Sequence, residues 1–223
     1  MSDSPQDEAG ADPSKDADSY WQNLLGFPID PWLGISDSAL KECYVALGVV
    51  SERWNRSEKL MRFFTAHYAG IPEPIAPLVM RHLNNLSMTD LLSDCSDLIE
   101  KDSADFREAI EFLCKLFSRC RENRNTLVHS SLVLNIPKRS ADRIIKPTSP
   151  RAAEAKTFAC TVDDIKRIAD DIQRLNGVFV NLAGAIECRN DPTKFWNPSR
   201  TPADFLQLCK FPLPDKLALL APE

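Results

Sequence analysis

The stretch that most constrains this chain runs from residue 106 to residue 134. Phe106, Ala109, Ile110, Leu113, Leu116, Phe117 and Cys120 recur at helical spacing and predict one long amphipathic helix with a single apolar stripe. Continued on the same wheel, the stripe meets Arg124. A guanidinium on an apolar seam is costly unless it is paired or used. His129 follows five residues later, near the end of the helix, with Asn125 one turn beneath it. A local rule is broken here, so function is sought here first.

A helix of this kind needs partners, and the flanking sequence supplies them. A first helix is expected from a Ser36 or Asp37 cap to about Gly70, with Leu40, Cys43, Tyr44, Leu47, Val50, Trp54, Met61 and Tyr68 on its stripe. Ser51 and Glu58 intrude on that stripe. Glu58 mirrors Arg124, and the two are expected to pair across the body. Pro72, Pro74 and Pro77 interrupt the chain, and a short segment runs to Leu86. A helix capped by Ser87 or Thr89 reaches about Lys101, and the helix bearing Arg124 starts from Ser103. Lys138, Arg139, Arg143, Lys146, Arg151 and Lys156 make the next stretch a basic loop, with a β-hairpin considered beside Arg143-Ile144-Ile145 and Thr157-Phe158. A last long helix starts at Thr161 with Asp163 and Asp164 in its first turn, where they suit the helix dipole. The fold class expected is all-α: an up-and-down four-helix bundle over residues 36–188.

The ends are read differently. Residues 1–18 carry no large apolar group and are expected to be a disordered acidic tail. They also account for the net charge of −5, so the body is neutral and remains open to an anionic partner. Residues 19–35, with Tyr20, Trp21, Phe27 and Trp32, are expected to form an apolar docking arm. Residues 189–223 form a proline-rich extension with a short helix after Thr201, wrapping some other surface. Seven cysteines without a CxxC argue for reduced, mostly buried thiols, and against zinc or a disulfide framework. No metal or other cofactor is expected. No apolar run approaches the roughly 20 residues of a membrane span, and the acidic start is no targeting peptide, so a cytoplasmic location is expected.

The segment Arg124-Asn125-Thr126-Leu127-Val128-His129-Ser130 resembles the Arg-x4–6-His motif of the HEPN superfamily (higher eukaryotes and prokaryotes nucleotide-binding), whose RNase members usually carry Asn, Asp or His after the arginine. Its place late in a long helix of a small helical body is similar too. The resemblance implies metal-independent RNA cleavage by attack of a ribose 2′-OH on the neighbouring phosphate. His129 would move protons, Arg124 would hold the phosphate, Asn125 would orient it, and Glu58 would set Arg124. It further implies a homodimer that brings two motifs into one cleft. The RNA backbone would be guided by Arg119, Arg121, Lys138, Arg139 and Arg143. The substrate would be tRNA or mRNA, and the protein a toxin held by an antitoxin or another protein partner, or a defence effector. Two alternatives stay open: a catalytically inactive HEPN-like module for RNA or nucleotide binding or for dimerisation, in view of Ser130 and Ser131 after the histidine, and a helical protein–protein adaptor. A conventional hydrolase is poorly supported, with no Gly-x-Ser-x-Gly and no phosphate loop.

Overall fold

The computed structural model describes residues 37–129, 131–135, 140–146, 156–191 and 200–217, with side chains at 43–129, 160–191 and 200–217. The acidic tail, the aromatic arm, Lys138, Arg139 and residues 192–199 and 218–223 of the C-terminal extension lie outside these residues. The described chain is predominantly helical. In order it forms α1 (Asp37–Tyr68), α2 (Ala76–Met80), α3 (Asn85–Ile99), α4 (Ala104–Val128), β1 (Ser131–Asn135), β2 (Ser140–Lys146), β3 (Lys156–Ala159), α5 (Val162–Asn190) and α6 (Pro202–Gln207). No described helix is long and apolar enough to cross a membrane.

Local chemistry sets the helix ends. Thr161 and Thr201 each accept from the amide three residues on, while Asp164 and Asp204 reach back to the cap amide, forming two capping boxes. Helix α3 begins earlier than the Ser87 or Thr89 expected from sequence. Asn84 is its cap, accepting from the Leu86 and Ser87 amides at 2.9 Å. Gly70, just past α1, adopts a positive φ of 64°, the conformation glycine tolerates best.

The core is built on α1, α4 and α5. Val50, Trp54, Met61, Ile110, Leu113, Phe117, Ile172, Leu175, Phe179 and Leu182 are essentially inaccessible. Trp54 on α1 stacks on Phe117 of α4 with centroids 4.9 Å apart, and Phe64 meets Phe179 of α5 at 5.3 Å. Tyr44, expected on the α1 stripe, is instead 54% exposed. Inside the core, Ser57 Oγ donates to Asn176 Oδ1 at 2.8 Å and Asn176 Nδ2 donates to the Arg53 carbonyl at 3.2 Å, so neither buried polar group is left unpaired.

These contacts also fix helix direction. Residues 58 and 65 of α1 touch 85 and 88 of α3, and Tyr68 touches Glu100 just after α3, so α1 and α3 run the same way. Arg53 and Ser57 meet Asp170 and Asn176, so α5 runs with them too. Helix α4, whose first turn at Phe106 lies against Arg189 at the end of α5, opposes all three. The order therefore differs from the expected up-and-down alternation. Residues 69–84, including α2, carry the chain back along α1 before α3 begins, which a two- to eight-residue helix connection does not do.

Strands β1, β2 and β3 form an antiparallel meander between α4 and α5, adding strands to the expected all-α body. The considered hairpin is β2 with β3, where Ile144 is in register with Phe158 and Ile145 with Thr157. Strand β2 contacts α1 and α4, so the sheet lies at the end of the body where α4 finishes.

All seven cysteines are free thiols. Burial pushes Cys114, Cys120 and Cys160 up to about 12 and Cys209 up to about 11. The folded state thus holds protons that the unfolded chain releases above its ordinary thiol range near 8.5. The stability these thiols contribute is complete below that value and declines as the pH rises towards 11 to 12. Urea unfolding in reductant is expected to show a loss on the order of 1 to 2 kcal/mol per thiol at pH 10 relative to pH 7.5. A shallower alkaline limb is expected for Cys120→Ala.

Candidate active site

The motif occupies the last turns of α4. His129 is the C-cap residue, its amide donating to the Asn125 carbonyl at 3.1 Å, and its side chain is exposed. Arg124 and Asn125 are half-buried, and Arg124 Nη1 donates to Asn125 Oδ1 at 3.0 Å. Among the described residues, Arg124 Nε is the buried side-chain nitrogen that finds no acceptor. An unmet buried donor costs about 1 to 3 kcal/mol, more when it is charged. The guanidinium is thus held by one arm while another of its donors is unused.

The α4 seam passes beside Arg124, not through it. Its buried positions continue from Cys120 to Asn123 and Leu127, which leaves Arg124 on the edge. Position 123 carries the polar seam residue, and its carboxamide is satisfied by the C-terminal segment. Nδ2 donates to the Asp215 carbonyl at 2.9 Å, and Oδ1 accepts from the Leu217 amide at 3.1 Å.

Glu58 does not pair with Arg124. It accepts from Asn85 Nδ2 at 2.7 Å at the start of α3. The reason is the opposed direction of α1 and α4 about the Trp54–Phe117 contact. Glu58 lies one turn beyond that contact in one direction and Arg124 two turns in the other, a separation of about 16 Å along the axis at 1.5 Å per residue. Nor does Arg119 face open solvent for RNA, since Nη1 donates to the Pro214 carbonyl at 2.6 Å. Arg121 is half-buried on α4. Arg143 sits on the central strand β2, in register with Val133 on one side and Ala159 on the other. The structure thus brings Arg124, Asn125 and His129 to one helix end next to the sheet, and sends Glu58 and Arg119 to other tasks.

Among the described residues, an ion pair with a buried carboxylate lies elsewhere. Arg189 grips Glu100 with two bonds of 2.7 and 3.0 Å, Tyr68 donates to the same carboxylate at 3.1 Å, and the guanidinium lies 4.1 Å from the Phe106 ring centre. The cluster ties the ends of α1, α3 and α5 to the start of α4, opposite the motif. Glu100 looks like a solvated helix end in sequence, and Arg189 the same, so periodicity could not find either. Near the motif end, Asp171 on α5 is buried, and burial pushes its carboxyl upward against the opposing pull of Arg174 at 3.6 Å. Among the described residues no cluster of three or more histidine, cysteine, aspartate or glutamate side chains is arranged to hold a metal ion. Comparison with protein-family models, with curated proteins and with solved structures finds no match to this chain.

Proposed function

We propose that this protein is an endoribonuclease of the HEPN type, cutting RNA without a metal by attack of the ribose 2′-OH. The observation that carries the reading is the half-used guanidinium of Arg124, with a buried Nε–H lacking an acceptor, at the same helix end as the exposed His129. A phosphate oxygen is the acceptor this donor suits best, because a guanidinium binds phosphate through paired, charge-assisted bonds.

In the reaction a base takes the 2′-OH proton, O2′ bonds to phosphorus, the P–O5′ bond breaks, and an acid returns a proton to O5′. The products are a 2′,3′-cyclic phosphate and a free 5′-hydroxyl. His129 moves the proton, Arg124 neutralises charge building on the phosphoryl oxygens, and Asn125 holds Arg124 at the required angle. One histidine serves either as acid or as base. The proposal therefore includes a homodimer that places a second motif in the same cleft, four-helix packing of α1, α3, α4 and α5 as the scaffold, a cytoplasmic setting, and control by a protein partner of the antitoxin kind.

The test is cleavage of end-labelled tRNA and total RNA by the purified chain in EDTA. Arg124→Ala is expected to lower the rate by roughly 10²- to 10³-fold, with Arg124→Lys retaining charge but not the fork. Cleavage unchanged by Arg124→Ala would overturn the reading. RNA retention without cleavage, lost in the same variant, would point to a binding module in its place.

A further inference from the structure

Helix α1 is 32 residues long, and one side of it is committed to the core. Ala46, Val50, Trp54, Ser57, Met61 and Phe64 are buried on that side. The other side carries Val45, Val49, Glu52, Arg56, Lys59 and Phe63, spaced four and three residues apart in turn, which makes them one stripe along the helix. Glu52 and Arg56 each stand about 160° round the helix from Trp54, the residue that meets α4, so the stripe points away from the body. Val45 is 59% exposed and Phe63 61%, with Val49 half-buried at the edge. Glu52, Arg56 and Lys59 are exposed and make no ion pair among the described residues.

The stripe reads the same way from both ends. Val45 with Phe63, Val49 with Lys59, and Glu52 with Arg56 are three pairs all centred on residue 54. Two copies of α1 laid antiparallel about a two-fold axis at that height set an apolar pair at each end. In the middle they set carboxylate against guanidinium twice. A parallel arrangement would instead oppose Glu52 to Glu52 and Arg56 to Arg56. Antiparallel packing also brings Lys59 of one copy within a turn of Glu52 of the other, with its methylene stem laid on the helix surface.

Gly48 supplies an independent observation. It stands beside the stripe in mid-helix, where glycine is less stable than alanine. A Cβ at Gly48 would meet nothing within 4 Å, so packing inside this chain gives no reason for glycine. A second helix crossing at that height gives one, because the bare backbone leaves room for the Lys59 stem of the other copy.

We propose that the outer face of α1 is a self-association surface that takes a second copy of this chain in antiparallel register about residue 54. The face lies across α1 from α4. It is therefore a separate contact from one that would join two Arg124 and His129 motifs, and it stands whether or not the chain cuts RNA. A single helix pair is a small interface, so the dimer dissociates on dilution.

The experiment uses the full chain. Val45→Cys and Phe63→Cys chains, mixed and treated with a mild thiol oxidant, are expected to give a disulfide-linked dimer. Either variant alone is expected to stay at the background set by the natural thiols, because two copies of position 45, or of position 63, lie about 27 Å apart along the axis. Sedimentation equilibrium then tests the charges. Glu52→Arg and Arg56→Glu, each with its circular dichroism spectrum retained, are expected to weaken self-association by roughly tenfold, since the two-fold axis counts each change twice. The double variant, Glu52→Arg with Arg56→Glu, is expected to return to within about threefold of the natural chain, because it restores both pairs with their signs exchanged. A natural chain that stays monomeric, crosslinking no stronger in the mixture than in either variant alone, or a double variant no tighter than the single ones would overturn the proposal.

Discussion

Replacing His129 with alanine is expected to reduce RNA cleavage by about 10²- to 10⁴-fold, the range over which a positioned acid or base acts, while leaving the fold untouched. The separation follows from where His129 sits. Its side chain is exposed, and the bonds it makes at the helix end come from its backbone amide, which alanine keeps. Exposed positions of this kind change stability by no more than about 0.5 kcal/mol. Urea unfolding of the variant should therefore overlay that of the natural chain. Mixing His129→Ala chains into the natural chain should lower the rate more than in proportion, because a mixed dimer keeps a single histidine in the shared cleft. Full activity in His129→Ala would remove the proton-transfer role assigned here.

Arg189→Ala is expected to destabilise the fold by about 1 to 3 kcal/mol, the cost of leaving a buried acceptor short of its donors. That is less than for a fully buried pair, because Arg189 itself is partly exposed. Glu100 is 2% exposed and would be left with the Tyr68 hydroxyl alone. The reverse change, Glu100→Ala, should cost less, because the Arg189 side chain is 35% exposed and reaches water while still resting on Phe106. The double replacement Glu100→Leu with Arg189→Met should recover much of the loss, since apolar residues of similar size often match a buried pair. Equal losses in both single variants would mean that packing, and not the uncompensated carboxylate, sets the stability.

Much of the helical framework was legible from spacing. The buried stripes of α4 and α5 follow the sequence period almost residue for residue, because an amphipathic period is a local property. The capping box at Thr161 and the short helix after Thr201 carry equally local signals. What escaped was non-local. The pairing of Glu58 with Arg124 presumed that two seam charges lie at one height, and height depends on helix direction, which the long return through residues 69–84 decides. Asn84 caps α3 although Ser87 and Thr89 stand nearer the apolar run that marks the helix in sequence. The exchange of roles between Asn123 and Arg124 turns on a single 100° step, and only the docked segment 211–217 reveals why a carboxamide belongs on the seam.

Helix α4 begins against the Glu100–Arg189 cluster and ends beside the sheet, about 36 Å away at 1.5 Å per residue. Its two ends therefore belong to different opening units. Around Phe106 a polar lock and a full core should give amide protection close to that of global unfolding, whereas around Val128, which is 39% exposed, the amides of the last turn should exchange through small local excursions. A polymer substrate approaching Arg124 and His129 would thus meet the pliable end of an otherwise braced rod, and could be accommodated there without disturbing the packing that keeps the rod in place.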